Sequence, residues 1–330
     1  MNISGNGPLF QMQVLDLSQQ LPGPYATELL ASLGAKVTKI EPPSGDAARH
    51  LDGAMFNNIN AGKESITLDL KTESGKQALY DLIPSFDVFV EGFRPGVTSR
   101  LGCNYTTLQQ IRSDLVYCSI SGFGQSGPLS TRPSHDISLQ SMAGALLENS
   151  VLDRIGVPWV DLATATSAAL AITALWHKGG GGYLDISMLD SALAWSRVKP
   201  EAVNSLEPTY GTVRTKDGKF IVIAILEDAM WNRLCIGLHW DDWRSKENFL
   251  RYEDRRKHAK EIRLRLDDTV AQLTANQLIK LAIENDLPIE MINSEDADSE
   301  SQVRLRGGGH PCIPLPVDIQ QNLGPAPELK

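Results

Sequence analysis

An α/β fold is predicted: a Rossmann-like large domain with a mostly parallel sheet, followed by a smaller α+β domain. Three observations predict it. Short apolar runs alternate with segments of helical period through the first half of the chain. At 330 residues the chain is too long for one small core. Beyond residue 200 the alternation gives way to a hairpin signal and a long, highly charged helical stretch.

The elements follow in order. Met12 to Leu17 is a short apolar run and reads as a strand. From Pro24 to Leu33 the residues Leu29, Leu30 and Leu33 recur at helical spacing, and Gly34 stands where a helix C-terminus favours a left-handed residue. Lys36 to Ile40 and Ser65 to Leu70 are strand-like, Lys71 to Ile83 is helical, and Asp87 to Val90 and Leu115 to Ile120 extend the strand series. Strand, helix, strand at this spacing means βαβ units and a mostly parallel sheet. The long connection from Pro42 to Lys63 is a candidate functional loop. Asp136 to Leu147 and Ala163 to His177 have helical period. The run Gly179 to Gly182 then breaks the chain before a strand from Tyr183 to Ile186. Thr212 to Ile225 reads as a hairpin turning at Asp217-Gly218. Residues 241 to 300 are polar and helical in period, with an acidic block from Glu295 to Glu300. The domains are therefore placed at 1–200, with a Pro-rich return segment 313–330, and at 201–312.

Charge and composition exclude several functions. Lys and Arg number 31 against 40 Asp and Glu, a net charge of −9. At long range that field repels polyanions, which argues against nucleic acid and anionic membrane as partners while leaving room for a local basic pocket. The apolar runs fall short of the roughly 20 residues of a membrane span. The N-terminus lacks the basic start and apolar centre of a signal peptide. Cys103, Cys118, Cys235 and Cys312 are scattered, as expected of reduced thiols in a cytoplasmic protein, and no His/Cys cluster has metal spacing.

No Walker motif, dinucleotide fingerprint or nucleophile elbow is present. Three local features carry chemistry, each with two readings. In Arg132-Pro133-Ser134-His135-Asp136 the positive end of a following helix disfavours a cation, so His135 can accept a proton; alternatively Asp136 or Ser134 caps the helix and His135 is a solvated neighbour. In Val157-Pro158-Trp159-Val160-Asp161 the carboxylate is either an N-cap or a partly buried base. In Val88 to Gly96 a strand ends in a Gly- and Pro-bounded loop. Ligands of open α/β sheets bind at such ends, so Arg94 is either a phosphate contact or a surface arginine in a turn.

In chain order, these segments resemble the class III CoA-transferase family (CaiB/BaiF type), including its α-methylacyl-CoA racemase branch. The resemblance is carried by Val14-Leu15-Asp16-Leu17 with Leu21-Pro22-Gly23-Pro24-Tyr25-Ala26-Thr27, by Leu33 to Val37 with Lys39-Ile40-Glu41-Pro42-Pro43, and by Gly62-Lys63 with Leu68-Asp69-Leu70-Lys71. It continues through Glu91 to Gly96, Val116 to Gly124, His135-Asp136, Asp161, Leu184-Asp185-Ile186-Ser187, Thr215-Lys216-Asp217-Gly218 and Gly324-Pro325-Ala326-Pro327. It implies two interlinked subunits forming a homodimer, no permanently bound cofactor or metal, and a CoA thioester as substrate. It assigns CoA contacts to Lys39, Gly92, Phe93 and Arg94, with Lys63 as a further candidate.

In transferases of the family an Asp, here Asp161, attacks the acyl-CoA. In racemases the equivalent Asp works with a His, here His135, which a Glu, here Glu227, supports. His135-Asp136, Glu227 and the Leu21 that replaces a transferase Gln place epimerisation of 2-methylacyl-CoA thioesters first. CoA transfer through an aspartyl-CoA thioester on Asp161 is the alternative, and a CoA-binding paralogue without turnover a third. The chain departs from the family in Asn60-Ala61-Gly62-Lys63-Glu64, where two cations are missing and an acid is gained. It also departs at Ala165 and in the short segments between His135 and Asp161 and between Asp190 and Tyr210.

Overall fold

The computed structural model of the protein describes residues 7–144, 157–198, 207–292 and 323–329. The chain divides into two compact units, Met1–Val198 with Arg304–Lys330, and Lys199–Val303.

The first unit contains β1 (Gln13–Asp16), α1 (Pro22–Ser32), β2 (Lys36–Glu41), α2 (Ala48–Leu51), α3 (Gly53–Ile59), β3 (Glu64–Thr67) and α4 (Glu73–Leu82). After these come β4 (Val88–Glu91), α5 (Val97–Leu101), α6 (Tyr105–Ile111), β5 (Val116–Ser121), α7 (Asp136–Met142), α8 (Trp159–His177), β6 (Gly182–Ser187) and α9 (Met188–Ser196). Six strands form one sheet in the order β3-β2-β1-β4-β5-β6, with every pairing parallel. Strand residues alternate between two cores, as the period-2 geometry of a strand requires. Val14, Val88, Val90, Val116, Cys118 and Ile120 pack on the side of α1 and α8, whereas Leu15, Phe89 and Tyr117 pack on the side of α4 and α6. Covered on both faces, β4 and β5 are buried throughout. In this strand order the winding direction reverses between β1 and β4, which opens a crevice at their carboxyl ends.

Several elements differ from the sequence reading in instructive ways. The connection after Pro42 is no open loop, because α2 and α3 occupy half of it. Helix α8 begins at Trp159, four residues before its Ala-rich run, so Asp161 lies inside its first turn. By length and composition alone α8 is also long and apolar enough to cross a membrane, which the sequence reading had not expected of any segment. Its Val160, Ala165, Ala168, Ala169 and Ile172 are instead part of the core shared with α1. Gly34, as anticipated, adopts a φ of 100° after α1. Of the return segment 313–330, residues 323–329 are described; the Pro325 carbonyl accepts from Gly62 N–H at 3.1 Å and the Pro327 carbonyl from Arg49 at 2.9 Å.

The second unit contains an antiparallel sheet of β7 (Tyr210–Arg214), β8 (Phe220–Ala224) and β9 (Ile289–Met291), in that order. The hairpin turns through Asp217-Gly218, with Gly218 at φ 78°. Helices α10 (Asp228–Gly237), α11 (Asp241–Arg244), α12 (Tyr252–Lys257), α13 (Ala259–Val270) and α14 (Ala275–Glu284) supply its other layer. Trp231, Trp243 and Phe249 pack edge and face at the centre of its core. The acidic block and Cys312 lie outside the described residues.

Candidate active site

The crevice at the carboxyl ends of β1, β4 and β5 holds a pocket of about 470 Å³. Three segments enclose it: the turn between β1 and α1, the loop Gly92–Pro95 after β4, and the segment Ser130–Asp136 before α7. Asp161, near the N-terminus of α8, completes the wall. A second pocket of about 340 Å³ adjoins the same crevice and shares Gln19, Phe93 and Val97 with the first.

Asp161 is the third residue of α8, one turn past the N-cap position that sequence reading offered it. That position is held by Pro158, which has no side chain able to cap, so the first N–H groups of α8 need a partner from elsewhere. Asp136 supplies it. Its Oδ1 accepts from Val160 N–H at 2.8 Å and from Asp161 N–H at 3.2 Å, while Gln140 donates to its other oxygen. Asp136 therefore caps α8, not its own helix. The N-cap of α7 is His135, whose backbone N–H donates to Ser138 Oγ at 3.0 Å. Burial pushes the Asp161 carboxyl up to about 7, and the like charge of Asp136 adds to the rise.

Of the residues expected in the site, His135, Asp161, Gly92, Phe93 and Arg94 all line the first pocket, and Phe93 reaches the second as well. Glu227 belongs to the second unit, just before α10, where its carbonyl accepts from Trp231 N–H; it is not one of the residues gathered in the first unit. Lys39 and Lys63, expected to meet CoA phosphates, are fully buried. Lys39 Nζ lies 2.9 Å from Asp46 and donates to the Ser18 carbonyl at 2.8 Å. Lys63 Nζ donates to Asp16, Thr27, Asn60 and the Pro24 carbonyl, all between 2.8 and 3.1 Å. Lys63 thus spends its donors inside the fold, and Lys39 spends two of its three there.

Other cations line the two pockets. Arg132 lines the first pocket with Arg94, and Lys71 and Arg100 line the second. Among the described residues none of these four has a carboxylate within ion-pair distance, whereas Arg49, Arg112, Arg255 and Arg265 are each paired with one. Sequence reasoning missed Arg100, Lys71 and the capping role of Asp136. The first two follow strand ends at the ligand side of the sheet, a signal that could have found them. Asp136 acts across 24 residues of sequence, and no local pattern announces that.

Comparison with known proteins agrees with this geometry. Residues 9–309 match the sequence family described as CoA-transferase family III. The acetyl-CoA:oxalate CoA-transferase of Acetobacter aceti is 31% identical over 312 residues, covering 86% of this chain and 80% of its own. The mouse succinyl-CoA:glutarate CoA-transferase is 32% identical, covering 91% of this chain and 76% of its own. The crystal structure of a CaiB/BaiF family protein from Brucella suis superposes with a TM-score of 0.83 at 27% identity, over 98% of this chain and 97% of that one. The relatives are named as CoA-transferases, so the order set by the sequence reading, epimerisation before transfer, is reversed.

Proposed function

The chain belongs to CoA-transferase family III, an enzyme of that family, and we propose that it moves CoA between two carboxylic acids with Asp161 as the nucleophile. One observation carries the reading: Asp161 is a half-buried carboxyl in the same pocket as Arg94 and Arg132, two cations with no described carboxylate within ion-pair distance. In this scheme the ionised Asp161 attacks the thioester carbonyl of the acyl-CoA. The C–S bond breaks, giving a mixed anhydride on Asp161 and CoA thiolate. The thiolate then attacks the aspartyl carbonyl, forming an aspartyl-CoA thioester and releasing the first acid as its carboxylate. The second acid reverses both steps and leaves as the new acyl-CoA, regenerating the Asp161 carboxylate. Arg94, Arg132, Lys71 and Arg100 hold the phosphates and carboxylates by charge-assisted hydrogen bonds, which lets an acidic protein bind a polyanionic substrate.

Hydroxylamine trapping tests the scheme. With acetyl-CoA or succinyl-CoA as donor and oxalate, succinate or glutarate as acceptor, mass spectrometry should find the hydroxamate on Asp161. No adduct and no exchange with any pair would sink the reading.

A second reading rests on His135, which lines the same pocket as Asp161. Two bases there could move an α-proton of a 2-methylacyl-CoA from one face to the other. Deuterium wash-in at the α-carbon without acid exchange would put this reading first. For the assembly and its setting the reading is a homodimer in the cytoplasm. Leu170 of α8, Trp195 of α9 and Val198 just after α9 are exposed apolar side chains that a second copy would cover, and the described cysteines are unpaired and buried. Sedimentation at micromolar concentration checks the dimer.

A further inference from the structure

Gln19 is the residue common to both pockets in the turn between β1 and α1, at the junction that a ligand spanning the two must pass. The backbone on either side of it is gripped by one buried ion pair. Lys39 Nζ donates to the carbonyl of Ser18 at 2.8 Å. Asp46 Oδ1 accepts the N–H of Gln20 at 3.1 Å and that of Ala48 at 2.9 Å. The two side chains meet at 2.9 Å, both with no exposure to solvent. Asp46 is in turn fixed by its own N–H, which donates to Glu41 at 2.9 Å.

The grip has something to hold. Gln20 has a φ of 64°, in the left-handed region that a residue with a Cβ enters at a cost. Gln20 is exposed, so core packing does not impose that conformation. The neighbouring anchors fix only the base of the turn: Leu17 N–H donates to the Val90 carbonyl at 2.8 Å, and Ser18 N–H to Asp16 at 3.0 Å. Close packing leaves no room beside Ser18, since a Cβ at Gly23 would fall 2.2 Å from its hydroxyl.

We infer that Lys39 and Asp46 are positioning residues: they act on CoA through the Ser18–Gln20 turn, setting Gln19 at the junction of the two pockets, and not by touching a phosphate. The inference rests on the pocket being the acyl-CoA site, but its test does not need turnover. Calorimetric titration of the full chain with CoA is the readout, beside thermal unfolding.

Asp46→Ala should weaken CoA binding about tenfold, the scale of one left-handed residue losing its tether. Adding Gln20→Gly to Asp46→Ala should restore most of that affinity, because glycine enters the left-handed region unaided, while the lowered melting temperature stays low. A purely structural pair would show no such rescue. Asp46→Asn keeps an oxygen for Gln20 N–H while losing the charge, so its CoA affinity should stay within about threefold of wild type even as its melting temperature falls. That variant keeps the test decisive if Asp46→Ala does not fold. Unchanged affinity in Asp46→Ala, no rescue by Gln20→Gly, or a full tenfold loss in Asp46→Asn would each overturn the inference. If CoA binding responds as described but hydroxylamine marks nothing on Asp161, the transfer reading falls and the positioning role stands.

Discussion

Asp16 and Asp161 are two aspartates of one domain, both withdrawn from water, whose carboxyls are driven in opposite directions. Burial pushes the Asp16 carboxyl upward, but Lys63, then Lys39, and the hydroxyls of Ser18 and Thr27 outweigh it and hold the group at about 2. Burial pushes the Asp161 carboxyl upward too, and there the nearest charge is another carboxylate, so it rises to about 7. The lesson is in the partners. Where cations and hydroxyls answer a buried carboxylate, it becomes part of the frame; where they do not, it keeps free energy that a reaction can draw on. Glu41 belongs with Asp16: Arg49 donates to it at 2.7 and 2.8 Å, and with Asp46 N–H and Ser65 it overrides burial and holds the group at about 2.

The largest expected effect separates the two aspartates outright. Asp161→Ala should lower the rate of CoA exchange on the order of 10⁴-fold, as loss of a nucleophile does, and abolish the hydroxamate while leaving the fold intact. Comparable residual exchange in this variant would break the comparison. Next comes Asp16→Ala, which strands Lys63 in the interior; denaturant unfolding should show a loss of about 3–5 kcal/mol.

The pH responses sharpen the contrast, with opposite signs. Asp16 has a folded value below its ordinary one, so its contribution is present above about pH 4 and is lost as pH falls toward 2. Asp161 has a folded value above its ordinary one. Its protonated form favours the fold, and that contribution is lost as pH rises through about 7. Asp161→Asn should therefore gain melting temperature over wild type as pH increases from 4 to 7, with little further gain beyond. Exchange by the wild type should increase with pH across the same upper range, since the attacking carboxylate must be ionised. Asp136→Asn, which removes the like charge but keeps an oxygen for the α8 N–H groups, should move that limb to lower pH. A limb that stays put would mean burial alone sets it.

The smallest effect concerns a single cation. Arg132→Met should raise the KM for acyl-CoA about tenfold, roughly one charge-assisted contact, with kcat little changed.

The large sheet was readable from the chain because a parallel strand covered on both faces is a near-continuous apolar run, as Val88 to Val90 and, apart from Ser119, Val116 to Ile120 are. The pocket residues Arg94, His135 and Asp161 were readable as candidates because each sits where an element ends or begins. Their alternative readings were not separable there. Whether Asp161 caps a helix or stands within its first turn depends on where α8 begins, and that depends on a cap donated by Asp136 from another helix. The burial of Lys39 and Lys63 was not legible for a related reason. A lysine's sequence neighbours do not say whether its ammonium meets solvent, a ligand or a buried acid, and Asp16 lies 47 residues from Lys63.

By itself, then, the sequence determined what local periodicity and composition can encode: the alternation of strands and helices, the hairpin in the second unit, the acidic balance, and the candidate groups at the ends of strands. Tertiary structure alone decided which charges answer one another. It matched Lys63 to Asp16 and Lys39 to Asp46, left Arg94 and Arg132 without a described partner, and set Asp136 rather than a cation beside Asp161. The physical reason is that a charge's state is fixed by what lies within a few ångströms of it in space, and chain separation carries no information about that distance.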